Sequence, residues 1–237
     1  MNSVLHGKTI IWDGDSICAG STETGNWATR IAANNAMTCR NYAVGGGTVA
    51  DCFPLLASGH KRHSLSATID RMYAEYPNAD YVIFEGGTND ADLFKDHFDT
   101  LGERMGTLNP DDYSGNYDEG TFIGSLETVF YKAAKYWYGK KIGFIIAQKM
   151  GQSAGSLNRR REYFDRCAEV CKKWGIPCLD LWHGCYLNPT LPWMYNRELT
   201  PEENRNNNEG FYIDGQHLTA RGYDFTTEIV ERWLCTL

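Results

Sequence analysis

Ile10-Ile11-Trp12-Asp13-Gly14-Asp15-Ser16-Ile17 is the stretch on which the reading of this chain turns. An apolar run of strand character stops at a Gly-Asp-Ser turn, and the residues that follow lead toward a helix. Ser16 therefore stands at the carboxyl end of a first strand, where open α/β sheets bind their ligands. A serine in such a turn also serves as a helix N-cap, so its role depends on what accompanies it. Three later stretches supply the company: Asn41-Tyr42-Ala43-Val44-Gly45-Gly46-Gly47-Thr48, Gly86-Gly87-Thr88-Asn89-Asp90, and Asp214-Gly215-Gln216-His217.

Outward from that turn, apolar runs alternate with segments of helical period. Residues 8–13, 38–44, 81–85, 141–147 and 178–182 read as strands; Tyr81-Val82-Ile83-Phe84 is a nearly continuous apolar run, the pattern of a strand covered on both faces. Residues 24–37, 65–76, 121–138, 157–174 and 219–234 read as helices. Trp27, Ile31 and Ala32 share a face of the first, and Ile69, Met72 and Tyr73 a face of the second. Phe122, Leu126, Val129, Phe130 and Ala133 form the clearest stripe. Gly175 and Pro177 stop the fourth of these helices. Strands alternating with helices imply a parallel sheet with right-handed crossovers. No repeat or linker interrupts the chain, so residues 1–237 read as one domain with irregular insertions near 92–120 and 183–212, and residues 51–63 as a further irregular loop.

The composition fits this picture and excludes several function classes. A chain of 237 residues with 42% hydrophobic and 22% charged residues is long enough to bury a large core. Its net charge of −7 and pI near 5.4 disfavour nucleic acid, because a phosphate-tracking surface needs a basic stripe. The triplet Arg159-Arg160-Arg161 reads as the solvated start of a helix. No secretory signal or membrane-spanning run is visible, so a cytoplasmic protein without membrane insertion is expected. The eight cysteines include no Cys-x-x-Cys spacing, and reduced, packing thiols are expected rather than disulfides or zinc.

A serine hydroxyl needs an adjacent base to act as a nucleophile, and six histidines compete for that place. His60 and His63 lie in a polar loop beside Lys61 and Arg62 and read as solvated. His6 and His183 show no acidic neighbour at a useful spacing, and His97 has only Asp96 and Asp99 around it. His217 follows Asp214 by three residues in a glycine-containing turn just before a helix. That spacing lets the carboxylate accept from the imidazole Nδ1–H and leaves Nε2 as a base. A plain turn packed at a helix start gives the same residues. Gly45-Gly46-Gly47 reads as a simple turn, a phosphate loop or a close backbone approach to a ligand; the helix and lysine that a phosphate loop wants are not evident. Asn89-Asp90 is compatible with an Asx turn, and Asp13, Asp15 and Asp90 with a magnesium site.

Taken together, these four blocks resemble the SGNH (GDSL-type) hydrolase family, in its order and across nearly the whole chain. Ile17 departs conservatively from the leucine of the GDSL name. The resemblance implies a three-layer α/β/α fold with a flavodoxin-like five-stranded parallel sheet. It implies Ser16 as nucleophile, His217 as base and Asp214 as the residue orienting His217. The backbone N–H groups of Ser16 and Gly46 and the side-chain amide of Asn89 would line an oxyanion hole; no cofactor or metal is required.

The expected activity is hydrolysis of short-chain acyl esters of small molecules or carbohydrates, acetyl above all, through an acyl-enzyme. Longer-chain lipase, aryl-esterase or thioesterase activity, and a noncatalytic flavodoxin-like binding module, are the alternatives. The preference for sugars rests on Phe94, Phe98, Tyr113, Tyr117, Tyr186, Trp193, Tyr195 and Tyr212, which dominate the apolar content of the two insertions.

Overall fold

Helices separate all the strand-forming runs of this chain, so neighbouring strands meet in parallel. The computed structural model describes residues 3–98, 104–151 and 154–237; the side chains of 94–98 and 154–156 lie outside that description. Strands β1 (Thr9–Asp13), β2 (Thr38–Asn41), β3 (Tyr81–Glu85), β4 (Lys141–Ile146) and β5 (Cys178–Asp180) form one sheet. Its order is β2-β1-β3-β4-β5, all parallel. Around it lie α1 (Ser16–Ala19), α2 (Trp27–Asn35), α3 (Leu65–Glu75), α4 (Thr88–Phe98), α5 (Phe122–Tyr136), α6 (Ala154–Trp174), α7 (Leu181–Gly184), α8 (Pro201–Asn207) and α9 (Ala220–Leu234). This is the expected flavodoxin-like arrangement.

The sequence patterns translate directly into burial. Every residue of β3 is buried, as its unbroken apolar run requires. The stripe Phe122, Leu126, Val129, Phe130 and Ala133 is fully buried on α5. Side chains of the size of Phe122 or Leu126 contribute about 1.5–3 kcal/mol each when taken from water. Among the described residues no helix is long and apolar enough to cross a membrane.

Several boundaries differ from the sequence reading, each for a local reason. β2 ends at Asn41, whose side-chain carbonyl accepts the Ala43 N–H while its amide donates to the Cys18 carbonyl. Residues beyond it still bond to the end of β1. The helix expected from residue 24 begins only at Trp27, because Asn26 caps it. Asp180 ends β5 by capping α7. The irregular stretches are also more regular than expected. Gly86-Gly87-Thr88-Asn89-Asp90 opens α4 rather than forming an isolated turn, and residues 183–212 contain α8. The signal for α8 was present: Thr200 and Glu203 form a capping box, with Pro201 in the first turn.

Among the described residues, the aromatic side chains of the insertions divide between packing and exposure. Tyr113, Tyr117 and Trp174 surround the Lys173 ammonium at 5.0–5.7 Å from their ring centres, and Lys173 also pairs with the buried Glu127. Tyr186 packs edge-on against Phe225, and Tyr212 is buried with its hydroxyl donating to the Lys149 carbonyl. Tyr195 is buried and Trp193 exposed. The Phe94, Phe98 and His97 side chains fall outside the described residues.

Candidate active site

In a sheet of this order the connections leaving β1 and β3 diverge to opposite sides, opening a crevice at their carboxyl ends. Ser16, directly after β1, and Asn89, directly after β3, flank that crevice. The turn at Ser16 is tightly specified. Asp15 caps α1 by accepting the Ile17 N–H at 2.8 Å. A Cβ at Gly14 would stand 2.7 Å from Cys18 Cβ and 2.8 Å from Glu85 Oε2, so only glycine fits. From the far end of the chain, the Tyr223 hydroxyl on α9 donates to the Ile17 carbonyl at 2.7 Å.

That same helix start delivers His217 to Ser16. His217 Nε2 lies 2.9 Å from Ser16 Oγ, across 201 residues of sequence. Its Nδ1 lies 2.7 Å from Asp214 Oδ2. Asp214 Oδ1 accepts the backbone N–H groups of Gln216 and His217 at 2.9 and 2.8 Å, fixing the carboxylate by the turn it creates. Burial pushes the Asp214 carboxyl up, but these hydrogen bonds outweigh it and hold its pKa below the ordinary value. The bond from Asp214 raises the His217 pKa above its usual 6.5, against opposing burial. The arrangement is able to take a proton from Ser16 and hold it on an imidazolium facing a carboxylate.

The Gly45–Gly47 loop passes beside the serine, with an ideal Cβ on Gly45 only 3.9 Å from Ser16 Cβ. Gly46 has φ +76°, a left-handed conformation that glycine adopts without strain. Among the described residues its N–H meets no acceptor, and neither does that of Ser16, the first residue of α1. Asn89 Nδ2 donates to the Gly47 carbonyl at 2.8 Å, which commits one amide hydrogen and leaves the second.

Other side chains hold this loop from behind. Arg62 Nη1 donates to the Gly46 carbonyl at 2.9 Å. Asp90 is buried and accepts the Val49 and Ala50 N–H groups at 2.9–3.1 Å; burial pushes its carboxyl up to about 7. The three carboxylates weighed as a magnesium site are thus each engaged within the fold. Asp13 meets His63, Asp15 caps α1 while its own N–H donates to Glu85 Oε2, and Asp90 holds the loop. Burial pushes the Asp15 and Glu85 carboxyls up, Glu85 well above the usual carboxylate range.

Two histidine readings are corrected. His63 is not solvated: its Nε2 lies 2.6 Å from the fully buried Asp13. Those residues are far apart in sequence, so no local spacing announces the pair. His183 does have an acidic neighbour, Asp180, 2.7 Å from its Nδ1 at the same three-residue spacing as Asp214 and His217. That pair is exposed. The arginine triplet is corrected as well. Arg160 is buried, pairs with Asp92 at 2.8 Å and donates to Gln216 Oε1 at 2.8 Å, directly behind His217. Nothing in a run of three arginines marks the middle one as buried.

A cavity of about 270 Å³ opens at this pair, with Ser16, His217, Ser21, Thr24, Ile213 and Arg205 among its lining residues.

Comparison with known proteins agrees with this architecture. Among solved structures, the chain resembles a Lactobacillus plantarum protein at TM-score 0.69 and 18% identity, with 98% of each chain covered. It resembles a carbohydrate acetylesterase from Sinorhizobium meliloti at TM-score 0.61 and 14% identity, covering 97% of this chain and 99% of that one. The native aryl esterase of M. smegmatis superposes at TM-score 0.63 and 13% identity, covering 98% and 100%. At these identities the likeness is one of fold. Comparison with curated proteins gives no match. The model of the GDSL-like lipase/acylhydrolase family matches residues 14–225, from the glycine before Asp15 into α9. With nearly the whole chain matched, the protein belongs to the GDSL-like lipase/acylhydrolase family and is a carboxylic ester hydrolase.

Proposed function

We propose that this protein hydrolyses short-chain acyl esters, acetyl esters of carbohydrates in particular, through an acyl-enzyme on Ser16. The observation that carries the mechanism is the unbroken series Ser16 Oγ, His217 Nε2, His217 Nδ1, Asp214 Oδ2, with neighbouring atoms 2.9 and 2.7 Å apart. His217 takes the Ser16 proton as Oγ attacks the ester carbonyl, then gives it to the departing alcohol oxygen. Water, activated by the same imidazole, then releases the acid. Asp214 keeps Nδ1 protonated, so that Nε2 is the basic nitrogen. The Ser16 and Gly46 N–H groups and the second Asn89 amide hydrogen stabilise the oxyanion.

The reading of a small substrate is supported by the cavity at Ser16. At about 270 Å³, with Ser21, Thr24 and Arg205 set among its apolar walls, it gives neither portion of the ester a long aliphatic channel. Acetyl, butyryl, octanoyl and palmitoyl esters of one alcohol test this reading, with Ser16 labelled by a serine-reactive phosphonate. The expected order of kcat/KM places acetyl first. Faster turnover of octanoyl or longer chains overturns the substrate reading, and a protein that neither turns over acetate esters nor reacts with the phosphonate overturns the mechanism.

Asn89→Ala tests the oxyanion donor. Loss of one donor costs about 2.7–4 kcal/mol in the transition state, so kcat is expected to fall about a hundred- to a thousandfold with a much smaller change in KM. A raised KM with unchanged kcat would show instead that Asn89 binds ground state and transition state alike.

A further inference from the structure

The arginines of this acidic chain are almost all occupied. Carboxylates hold Arg30, Arg71, Arg159, Arg160, Arg166 and Arg232, and backbone carbonyls hold others such as Arg62 and Arg104. Among the described residues Arg205 has neither, although it lines the cavity that contains Ser16 and His217. Arg40 and Arg161 also have neither, but Arg40 lies over the Tyr42 ring and Arg161 opens onto a separate depression beside Glu162 and Glu169.

Arg205 is carried by a firmly held helix. The capping box of Thr200 and Glu203 starts α8, and Asn208 closes it in the left-handed conformation. The Asn204 side chain donates to the Asn196 carbonyl at 2.8 Å. An arginine on so fixed a base loses less freedom on binding than one on a loop. The acid whose charge acts on it without an ion pair is Glu23, an exposed residue whose carboxylate is engaged by the Ser21 and Thr22 hydroxyls.

From this geometry, and resting on the esterase reading above, we infer that Arg205 anchors a carboxylate on the alcohol portion of the substrate. The alcohol side follows from the chemistry. His217 must protonate the departing oxygen, so the leaving group lies on the His217 side of the serine. The cavity is lined by His217 and Arg205 together, whereas Gly46 and Asn89 are not among its lining residues. A guanidinium matches the two oxygens of a carboxylate with parallel hydrogen bonds. Ile213, Leu218 and Tyr223 supply apolar wall for the body of the alcohol. An acetylated sugar acid has the required parts; a neutral acetylated sugar lacks the anchor.

The test compares the acetyl ester of 4-hydroxyphenylacetic acid with that of its amide, whose phenols leave with similar ease. The wild type is expected to favour the acid in kcat/KM by about tenfold, and salt should shrink the ratio. Arg205→Gln should bring the ratio to about one, Arg205→Lys should restore part of it, and Glu23→Gln should enlarge it. A ratio near one in the wild type, with both esters turned over, overturns the inference and leaves the esterase reading standing. So does a ratio unchanged in Arg205→Gln. The monosuccinyl ester of a neutral phenol separates the two sides of the bond: if Arg205→Gln slows that ester and the acid-to-amide ratio is flat, the carboxylate belongs on the acyl side and the inference is wrong. If neither acetate is hydrolysed and Ser16 resists a phosphonate, the esterase reading falls and takes this one with it.

Discussion

Ser16→Ala is expected to lower kcat about a millionfold toward acetate esters while leaving the protein folded, the scale seen when a serine nucleophile is removed from an intact triad. The fold should survive because the Ser16 side chain is half-buried and its hydroxyl bonds only to His217 Nε2 among the described residues. The cap of α1 belongs to Asp15, and the Tyr223 bond goes to the Ile17 carbonyl, so neither depends on Oγ. A substitution of that kind shifts stability by about 0.5 kcal/mol or less. Thermal unfolding followed beside turnover separates the two effects. Substantial residual hydrolysis by a well-folded mutant would remove Ser16 from the mechanism.

His217→Ala should cost nearly as much, and adding it to Ser16→Ala should cost almost nothing more, because the two residues act as one unit. The pH profile distinguishes a base from a merely structural histidine. Only neutral His217 can accept the serine proton, and the bond from Asp214 raises its pKa above 6.5. The wild-type kcat/KM should therefore be low in acid and climb with pH through an apparent ionisation above that ordinary value. Asp214→Asn removes the cause of the increase, so the onset of activity should move to lower pH even as the maximum falls. A profile flat across the histidine range would point to a different base.

The fold and the residues that meet at Ser16 were legible where local sequence carries the information. A buried strand announces itself by its apolar run, as β3 does, and a half-buried helix by its stripe, as α5 does. Ser16 and the Asp214–His217 turn are equally local. Spacing alone, however, is not enough. Asp180 and His183 reproduce the Asp214–His217 spacing and distance on an exposed surface, and only the reach of His217 to Ser16 tells the two pairs apart. What the sequence did not disclose is the long-range support: Asp13 with His63, and Asp92 with Arg160 and Gln216. Those contacts join residues whose neighbours in the chain look solvated, and only the packed fold brings them inside. The aromatic insertions are ambiguous for the converse reason, since rings that suit a sugar also suit a core: Tyr195 and Tyr212 are buried, whereas Tyr186 and Trp193 stay exposed.

The grip of α9 on the Ser16 turn sets an order of events during synthesis. All five strands and Ser16 are made before residue 181, whereas His217 and the helix that fastens it follow. Trp27 Nε1 reaches Thr226, Tyr223 reaches Ile17, and Asn35 reaches Glu231, so α9 docks on segments made well before it. A ribosome that has completed the sheet thus holds a polypeptide in which Ser16 has no His217 beside it. On the proposed mechanism, reactivity arrives as a stitch between distant segments of the polypeptide, and an assay of nascent chains should see hydrolysis switch on only once α9 has emerged.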